Sequence, residues 1–519
     1  YDAIDLSTGE KGPMYIVHIA SELAPLAKVG GLADVVLGLC RELSWKGHDV
    51  DIIIPKYDCM DSDQIRDLSM DTKELMSFYE GEWYSNTVWI GWVENLKVYF
   101  IEPHHPRFFF NRGCFYGCED DIERFLYFSR AAIEFLFKRP LNPDILHLHD
   151  WQTAVIAPLY KDMYRHLGYT KPKMVFTIHN MEYQGKCSTS DLNRIGLDGL
   201  FYQQASRLQD NLYPNLINLL KGAIVYADFI TTVSPNYAQE VLTAAGGRGL
   251  ESTLLHYHEK FKGILNGIDY SYWNPEIDRF LPVHFSPREV PANRKDRNTL
   301  DKKGFIKKIL RERLLLLEDY RPIIGCIARL VPQKGIDLIK HTIKHIVEKK
   351  GQFVLLGSSP IPSISDEFHR LKQHYAEHPH IHLILHHQED LAHLIYAGCD
   401  MFIVPSLFEP CGLTQMIALK YGTVPIVRRT GGLADTIFDA DYSNRPFPET
   451  NGYVFDYPDA AGIDSALDRA IHCWFNDPEK WRTLMLNGMK IDFSWNLSSN
   501  LYLDIYNKLQ DEGASCPIK

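Results

Sequence analysis

No apolar run in this chain approaches the ~20 residues that a membrane-crossing helix needs. No P-loop sequence and no Gly-x-Gly-x-x-Gly turn occurs, so neither common glycine signature for a nucleotide phosphate is present. No long Lys/Arg run occurs and the formal net charge is -11, which argues against a general nucleic-acid binder. The ten cysteines are scattered, and Cys40, Cys326 and Cys399 lie inside apolar runs. That is the pattern of reduced core thiols in a cytosol-like compartment. Cys114 and Cys118 form the only close pair, and with no second pair at zinc spacing a metal site is not expected there. The first residue is Tyr1 with no signal-like apolar segment after it, so a mature or trimmed chain is expected, with any targeting peptide out of view.

What is present is a long α/β pattern. At 519 residues the chain can bury two or more cores. Tyr15–Ala20 reads as a buried strand, and Val50–Ile54 as the next. Between them lies a helix with Leu32, Val35, Val36, Leu39 and Leu43 on one face. The turn into that helix is Lys28-Val-Gly-Gly-Leu-Ala-Asp34. Gly30 and Gly31 let the backbone approach a phosphate while Lys28 supplies charge; a tight turn with a solvated lysine is the plainer reading. Asp49-Val-Asp51 has Asp-x-Asp metal spacing but reads better as a solvated strand edge. The aromatic stretch Phe108–Tyr116 suits either stacking on a sugar ring or packing under a loop.

Asp144–His149 is a strand that ends in Asp150-Trp151, with His147 and His149 on one face. The His-x-His pair lacks an obvious third and fourth metal ligand, and Asp150 at the strand's carboxyl end is the stronger functional candidate. Met174–Ile178 repeats the arrangement and ends in His179-Asn180. Two such ends in succession point to one ligand-binding crevice. Ser188 to Asn218 reads as a polar insertion with short helices. Trp273-Asn-Pro275 to about Arg297 reads as the interdomain connection.

A second β/α series follows. Strand Ile323–Ala328 ends in Arg329, and Lys334-Gly335 opens a helix. Strand Met401–Val404 leads to Glu409-Pro-Cys-Gly-Leu-Thr414 and then a helical pattern. A carboxylate at a strand end, one turn before helix amides at Gly412, Leu413 and Thr414, suits a sugar nucleotide: amides for the diphosphate, acid for sugar hydroxyls. The alternative is that Glu409 caps the helix. Arg429-Thr-Gly-Gly-Leu-Ala-Asp435 echoes Lys28 to Asp34, which indicates similar turn chemistry in two similar domains. The tail from Asp464 is helical and aromatic and is expected to cross back onto the first domain.

Together these motifs resemble the starch synthase and bacterial glycogen synthase family, with plant class III/IV enzymes nearest in flavour. The matching stretches are Lys28–Val35, His149-Asp-Trp151, Thr177-Ile-His-Asn180, Asn266-Gly-Ile-Asp269, Arg329–Gly335, Phe408–Gln415 and Arg429–Leu433, in order along nearly the whole chain. Glu182-Tyr-Gln-Gly185 and the 188–218 insertion resemble class IV most.

The resemblance implies an α/β chain of two Rossmann-like domains facing a central cleft, the glycosyltransferase-B fold. Residues 1–268 plus a returning helix at about 490–519 would form the acceptor-side domain, and 269–489 the nucleotide-sugar side. It implies transfer of glucose from ADP-glucose to the non-reducing end of an α-1,4-glucan, with retention, no metal and no pyridoxal phosphate. Lys28, Arg329 and Lys334 would neutralise the leaving diphosphate. Glu409, His179 and Asp150 complete the implied catalytic set. Lys28, Gly30, Gly31, Asn266, His387, Cys411, Gly412, Leu413 and Thr414 are the implied donor contacts. Glu22, Asp34, Tyr116 and Asn180 are the implied acceptor contacts.

Two positions depart from the wider fold's pattern. Ile417 stands where many relatives carry a second glutamate, and His387-Gln388-Glu389 stands where Tyr-Asp-Glu is common near adenine. Two rivals share the fold. A non-catalytic glucan-binding or granule-initiation member would have lost a donor residue, and an α-glucan phosphorylase would need pyridoxal phosphate on a lysine. The resemblance implies maltooligosaccharide and ADP-glucose as partners, no nucleic acid or membrane, and either a plastid stroma or a bacterial cytoplasm.

Overall fold

A computed structural model describes residues 12–287 and 302–514. The described chain separates into two compact units. Unit 1 comprises Tyr1–Val233, Ala238–Gly267 and Trp495–Lys519; unit 2 comprises Ser234–Tyr237 and Ile268–Ser494.

The strands of unit 1 are β1 (Tyr15–Ile19), β2 (Asp49–Pro55), β3 (Arg66–Tyr79), β4 (Glu82–Val93), β5 (Leu96–Pro103), β6 (Ile145–His149), β7 (Lys173–Ile178), β8 (Lys186–Cys187), β9 (Ile217–Asn218), β10 (Phe229–Thr232) and β11 (Phe261–Gly263). Nine of them form one sheet in the order β11-β10-β7-β6-β1-β2-β5-β4-β3. From β11 to β5 the neighbours are parallel, and the β3–β4 hairpin extends that edge antiparallel. The central strands are buried along nearly their whole length, as a parallel sheet covered on both faces requires, and the histidines they carry are buried with them. The chain winds outward from β1 through β2 to β5, then returns to lay β6 on the other side of β1. That reversal is the topological switch point, and the carboxyl ends of β1 and β6 flank it.

Unit 2 repeats the plan with β12 (Ile323–Ile327), β13 (Gln352–Leu356), β14 (Ile381–Ile384), β15 (Met401–Val404), β16 (Val424–Arg428) and β17 (Tyr453–Phe455). Their order is β14-β13-β12-β15-β16-β17, all parallel. Here the switch point lies between β12 and β15. Its core joins Ile324, Phe353, Met401 and Ile426 from the strands to Ile339, Ile343, Leu467 and Ile471 from the helices.

The tail differs from expectation. Helices Ala460–Asn476 and Pro478–Lys490 belong to unit 2, and Trp474 and Trp481 sit in its core. Only helix Trp495–Ala514 returns to unit 1. There the Tyr506 hydroxyl lies 2.6 Å from His147 Nδ1, and the Trp495 ring lies over Gly38, where a Cβ would come within 2.0 Å of it. Aromatic content could not separate the two cases, because both units bury aromatic rings. The expected connection from Trp273 also differs. Trp273 stacks on His393 at 4.2 Å and Asp278 accepts from His393 Nδ1 at 2.6 Å, so this segment is packed into unit 2; residues 288–297 lie outside the described residues. The 188–218 insertion forms helices Thr189–Arg194 and Gly199–Tyr202, clasped by the two-stranded β8–β9 ladder.

Candidate active site

In unit 2 the two strands at the switch point deliver opposite charges to one place. After β12 the chain turns through Arg329 and Lys334. Gly335 then opens helix Ile336–Glu348 with φ +71, and a Cβ there would lie 2.2 Å from the Pro405 carbonyl oxygen. After β15 comes Ser406 and then Glu409. Lys334 Nζ donates to both Glu409 carboxylate oxygens, at 2.9 and 2.7 Å, and Ser406 Oγ donates to Oε2 at 2.7 Å. Glu409 is buried. Its carboxylate is therefore committed to Lys334 and Ser406 in place of the helix-cap role. The helix it precedes, Thr414–Lys420, has Leu413 as N-cap and no side-chain cap bond. An ammonium carries three donors and Glu409 takes two, which leaves the third uncommitted among the described residues. Arg329, earlier in the same turn, is exposed, with no side-chain partner among the described residues.

The Glu409 loop is clamped from behind. Gly432 N–H donates to the Glu409 carbonyl at 3.1 Å, and Gln415 Nε2 donates to the Cys411 and Gly412 carbonyls at 3.0 and 2.7 Å. A Cβ on Gly431 would lie 1.8 Å from the Glu409 carbonyl oxygen, and one on Gly432 would lie 2.0 Å from that of Cys411. The echoed Gly-Gly turn thus backs the acidic loop. Cys411 is buried and supports the loop, while Gly412, at φ +75, Leu413 and Thr414 remain part-exposed. His387 is well exposed and pairs with Glu389 at 2.9 Å.

In unit 1 the candidates also collect beyond the strand ends. Glu22, after β1, accepts from Val29 N–H at 2.9 Å and Gly30 N–H at 3.2 Å through Oε2, and from the Tyr116 hydroxyl at 2.7 Å through Oε1. The Gly30 amide thus answers the Glu22 carboxylate in this structure. Gly31 opens helix Gly31–Trp45, and Lys28 pairs with Asp34 at 2.9 Å. That pair is half exposed and weak enough to exchange for a ligand. Asn266 is buried, and its side-chain oxygen has no hydrogen-bond partner among the described residues.

Asp150, at the end of β6, holds φ +57, a strained backbone for a residue with a side chain. Its carboxylate accepts from His179 N–H at 2.7 Å, with Asn180 N–H adding to the pull. Burial pushes its carboxyl up to about 7, with Glu22 adding to the rise and the two amides opposing it. Asn180 Oδ1 accepts from Glu182 N–H at 3.0 Å.

A chain of imidazoles lies behind Asp150, and sequence reasoning saw only part of it. His179 Nε2 contacts His149 Nδ1 at 2.9 Å, and His149 Nε2 contacts His18 Nδ1 at 2.9 Å. His147, between Tyr506 and Thr177, is stacked on His149 at 4.5 Å with ring planes 11° apart. His18, His147 and His149 each bring a ring nitrogen within 4.8 Å of the others, a spacing that could hold a metal ion, and each ring also hydrogen-bonds to a neighbouring side chain. Burial lowers all four imidazoles, His18 and His179 to about 3, so they are neutral. Period two placed His147 and His149 on one face, but His18 joins them through the β1–β6 register that pairs His18 with His147. Ser406 was also missed; its only local signal is its position three residues before Glu409. Asp51 accepts from the Tyr15 hydroxyl at 2.7 Å and pairs with Lys97 at 3.1 Å, a structural role.

Comparison with known proteins places this geometry. A family model described as the starch synthase catalytic domain matches residues 15–256, and one described as glycosyl transferases group 1 matches residues 309–483. A glycogen synthase of Protochlamydia amoebophila is 81% identical over 496 residues, covering 96% of this chain and 99% of that protein. The chain belongs to the glycogen and starch synthase family. This synthase is also 48% identical to a probable starch synthase 4 of Arabidopsis thaliana, across 99% of its own length and 48% of the plant protein's. Among solved structures it matches the catalytic domain of starch synthase IV from Arabidopsis thaliana bound to ADP and acarbose, with TM-score 0.92 and 50% identity, over 96% of this chain and 100% of that one. The synthase therefore has the glycosyltransferase-B fold of two α/β domains.

Proposed function

We propose that this synthase transfers glucose from ADP-glucose to the non-reducing end of an α-1,4-glucan, with retention and without a metal ion or pyridoxal phosphate. The observation that carries the reading is the Lys334–Glu409–Ser406 cluster at the β12/β15 switch point, with Arg329 exposed in the turn that leads to Lys334. The leaving diphosphate builds negative charge as the glycosidic bond breaks. The free N–H of Lys334 and the guanidinium of Arg329 meet that charge, so positioned cations do what a divalent ion does elsewhere, and Lys28 is a further proposed donor contact. Glu409 holds sugar hydroxyls and faces the positive charge that grows at the anomeric carbon. Asp150 orients hydroxyls and holds the His179 main chain, so that His179 contacts the donor sugar. Glu22, Asp34, Tyr116 and Asn180 contact the acceptor. Adenine lies near His387, and Asn266, Gly31, Gly412, Leu413 and Thr414 complete the donor contacts.

The likeness to the Protochlamydia glycogen synthase supports a bacterial cytoplasmic setting over a plastid one. Among the described residues no helix is long and apolar enough to cross a membrane. The test is incubation with ADP-glucose, UDP-glucose and a short maltooligosaccharide, with product sizing, with and without chelator. Stepwise lengthening from ADP-glucose that survives chelation is expected. Lengthening only from UDP-glucose, or loss on chelation, overturns the corresponding part of the reading.

A further inference from the structure

The loop that carries Tyr116 is bracketed by two thiols. Cys114 and Cys118 Sγ lie 3.4 Å apart, and both residues are part-exposed. Arg124, fully buried, donates to Cys118 Sγ at 2.7 Å, to Asp121 Oδ1 at 3.0 Å and to the Phe115 carbonyl at 3.3 Å. An open pocket of about 570 Å³ is lined by Arg107, Arg112, Cys118, Glu119 and Asp120. Between the two cysteines stand Phe115, Tyr116 and Gly117, and Gly117 holds φ +93. The Tyr116 hydroxyl joins this loop to Ser21 and Glu22, each at 2.7 Å, and Glu22 holds the backbone entry to helix Gly31–Trp45.

We propose that Cys114 and Cys118 are a thiol–disulfide modification site that tunes acceptor binding. A small-molecule disulfide reaches the pair through the pocket. One cysteine thiolate attacks a sulfur of that disulfide and releases one small thiol; the second cysteine attacks the mixed disulfide and releases the other. Two protein S–H bonds are lost and one S–S bond forms, and the oxidant's S–S bond is reduced to two thiols. Closing 3.4 Å to a bond of about 2.05 Å draws in the three-residue loop and pulls the Tyr116 hydroxyl from Ser21 and Glu22. Burial and the Cys114 contact push the Cys118 thiol upward against the pull of Arg124, which slows exchange at neutral pH. A pair held this way cycles with its surroundings and is not a permanent crosslink; of the other described cysteines Cys59 is exposed and the rest are buried.

The inference rests on Tyr116 and Glu22 being acceptor contacts, and the experiment separates the two ideas. The whole protein is equilibrated in oxidised glutathione, mapped by peptide mass, and assayed for the Michaelis constants of ADP-glucose and maltooligosaccharide before and after reduction. A Cys114–Cys118 crosslink is expected, with an acceptor KM raised about fivefold, the loss of roughly one hydrogen bond. The donor KM should stay unchanged and dithiothreitol should restore the acceptor KM. Cys114→Ser should keep the reduced enzyme's constants and abolish the response; Cys118→Ser gives the same check from the other sulfur. A crosslink to Cys59, no crosslink, or a crosslink with an unchanged acceptor KM while Tyr116→Phe raises it, overturns the switch. An unchanged acceptor KM in Tyr116→Phe overturns the acceptor reading instead.

Discussion

Lys334 and Glu409 make the sharpest case at the scale of single residues. Their bidentate contact is part-buried and joined by Ser406, so removing either partner strands the other. We expect Glu409→Ala and Lys334→Ala each to lower turnover by at least ~100-fold through lost transition-state electrostatics. Full activity in either, measured at saturating donor, removes its assigned role. Asp150 adds a pH signature. Its carboxyl is pushed up to about 7, so it protonates as the pH falls through neutrality and loses acceptor strength toward sugar hydroxyls. An acid limb in kcat/KM centred near pH 7 is expected. Asp150→Asn should lower activity and flatten that limb; a limb that survives unchanged belongs to another group.

At the scale of elements, the two Gly-Gly turns were legible and their roles were not. In Arg429-Thr-Gly-Gly, Gly431 holds φ +48 and backs directly onto the Glu409 carbonyl. Gly431→Ala must move the acidic loop, so a loss of about 1–3 kcal/mol in urea unfolding and a large drop in turnover are expected. Gly113, at φ +69 with open space around its Cβ direction, is the control. Its alanine variant carries only the backbone strain, and equal effects at the two sites would discount the clamp. In the other turn the Gly30 amide answers Glu22, a residue eight positions earlier that the local pattern gave no reason to choose.

At the scale of the whole molecule, the four neutral histidines couple unit 1 to pH. Folding holds His18, His147, His149 and His179 below their ordinary value. Between the folded and unfolded values the unfolded chain binds more protons, so stability rises with pH there. It is lost on acidification from about 6.5 downward, at up to about 1.4 kcal/mol per pH unit for each histidine. Urea midpoints should therefore fall steeply between pH 6.5 and 4.5, and His149→Gln should shallow the slope. A slope that the substitution leaves unaltered would place the acid sensitivity elsewhere.

Alternating apolar strands and amphipathic helices determined the α/β class from sequence alone, because both periods are written locally in the chain. The polar residues at strand ends were legible for the same reason: Arg329, Glu409, Asp150 and His179 each follow an apolar run. Tertiary structure alone decided who meets whom. Lys334 reaches Glu409 across 75 positions and His18 reaches His149 across 131, contacts that depend on which strands become neighbours at the switch points. It also decided that Trp474 and Trp481 stay in unit 2 while Trp495 returns to unit 1. Burial area drives all three equally, and only the shape of the receiving surface, such as the bare backbone at Gly38, distinguishes them.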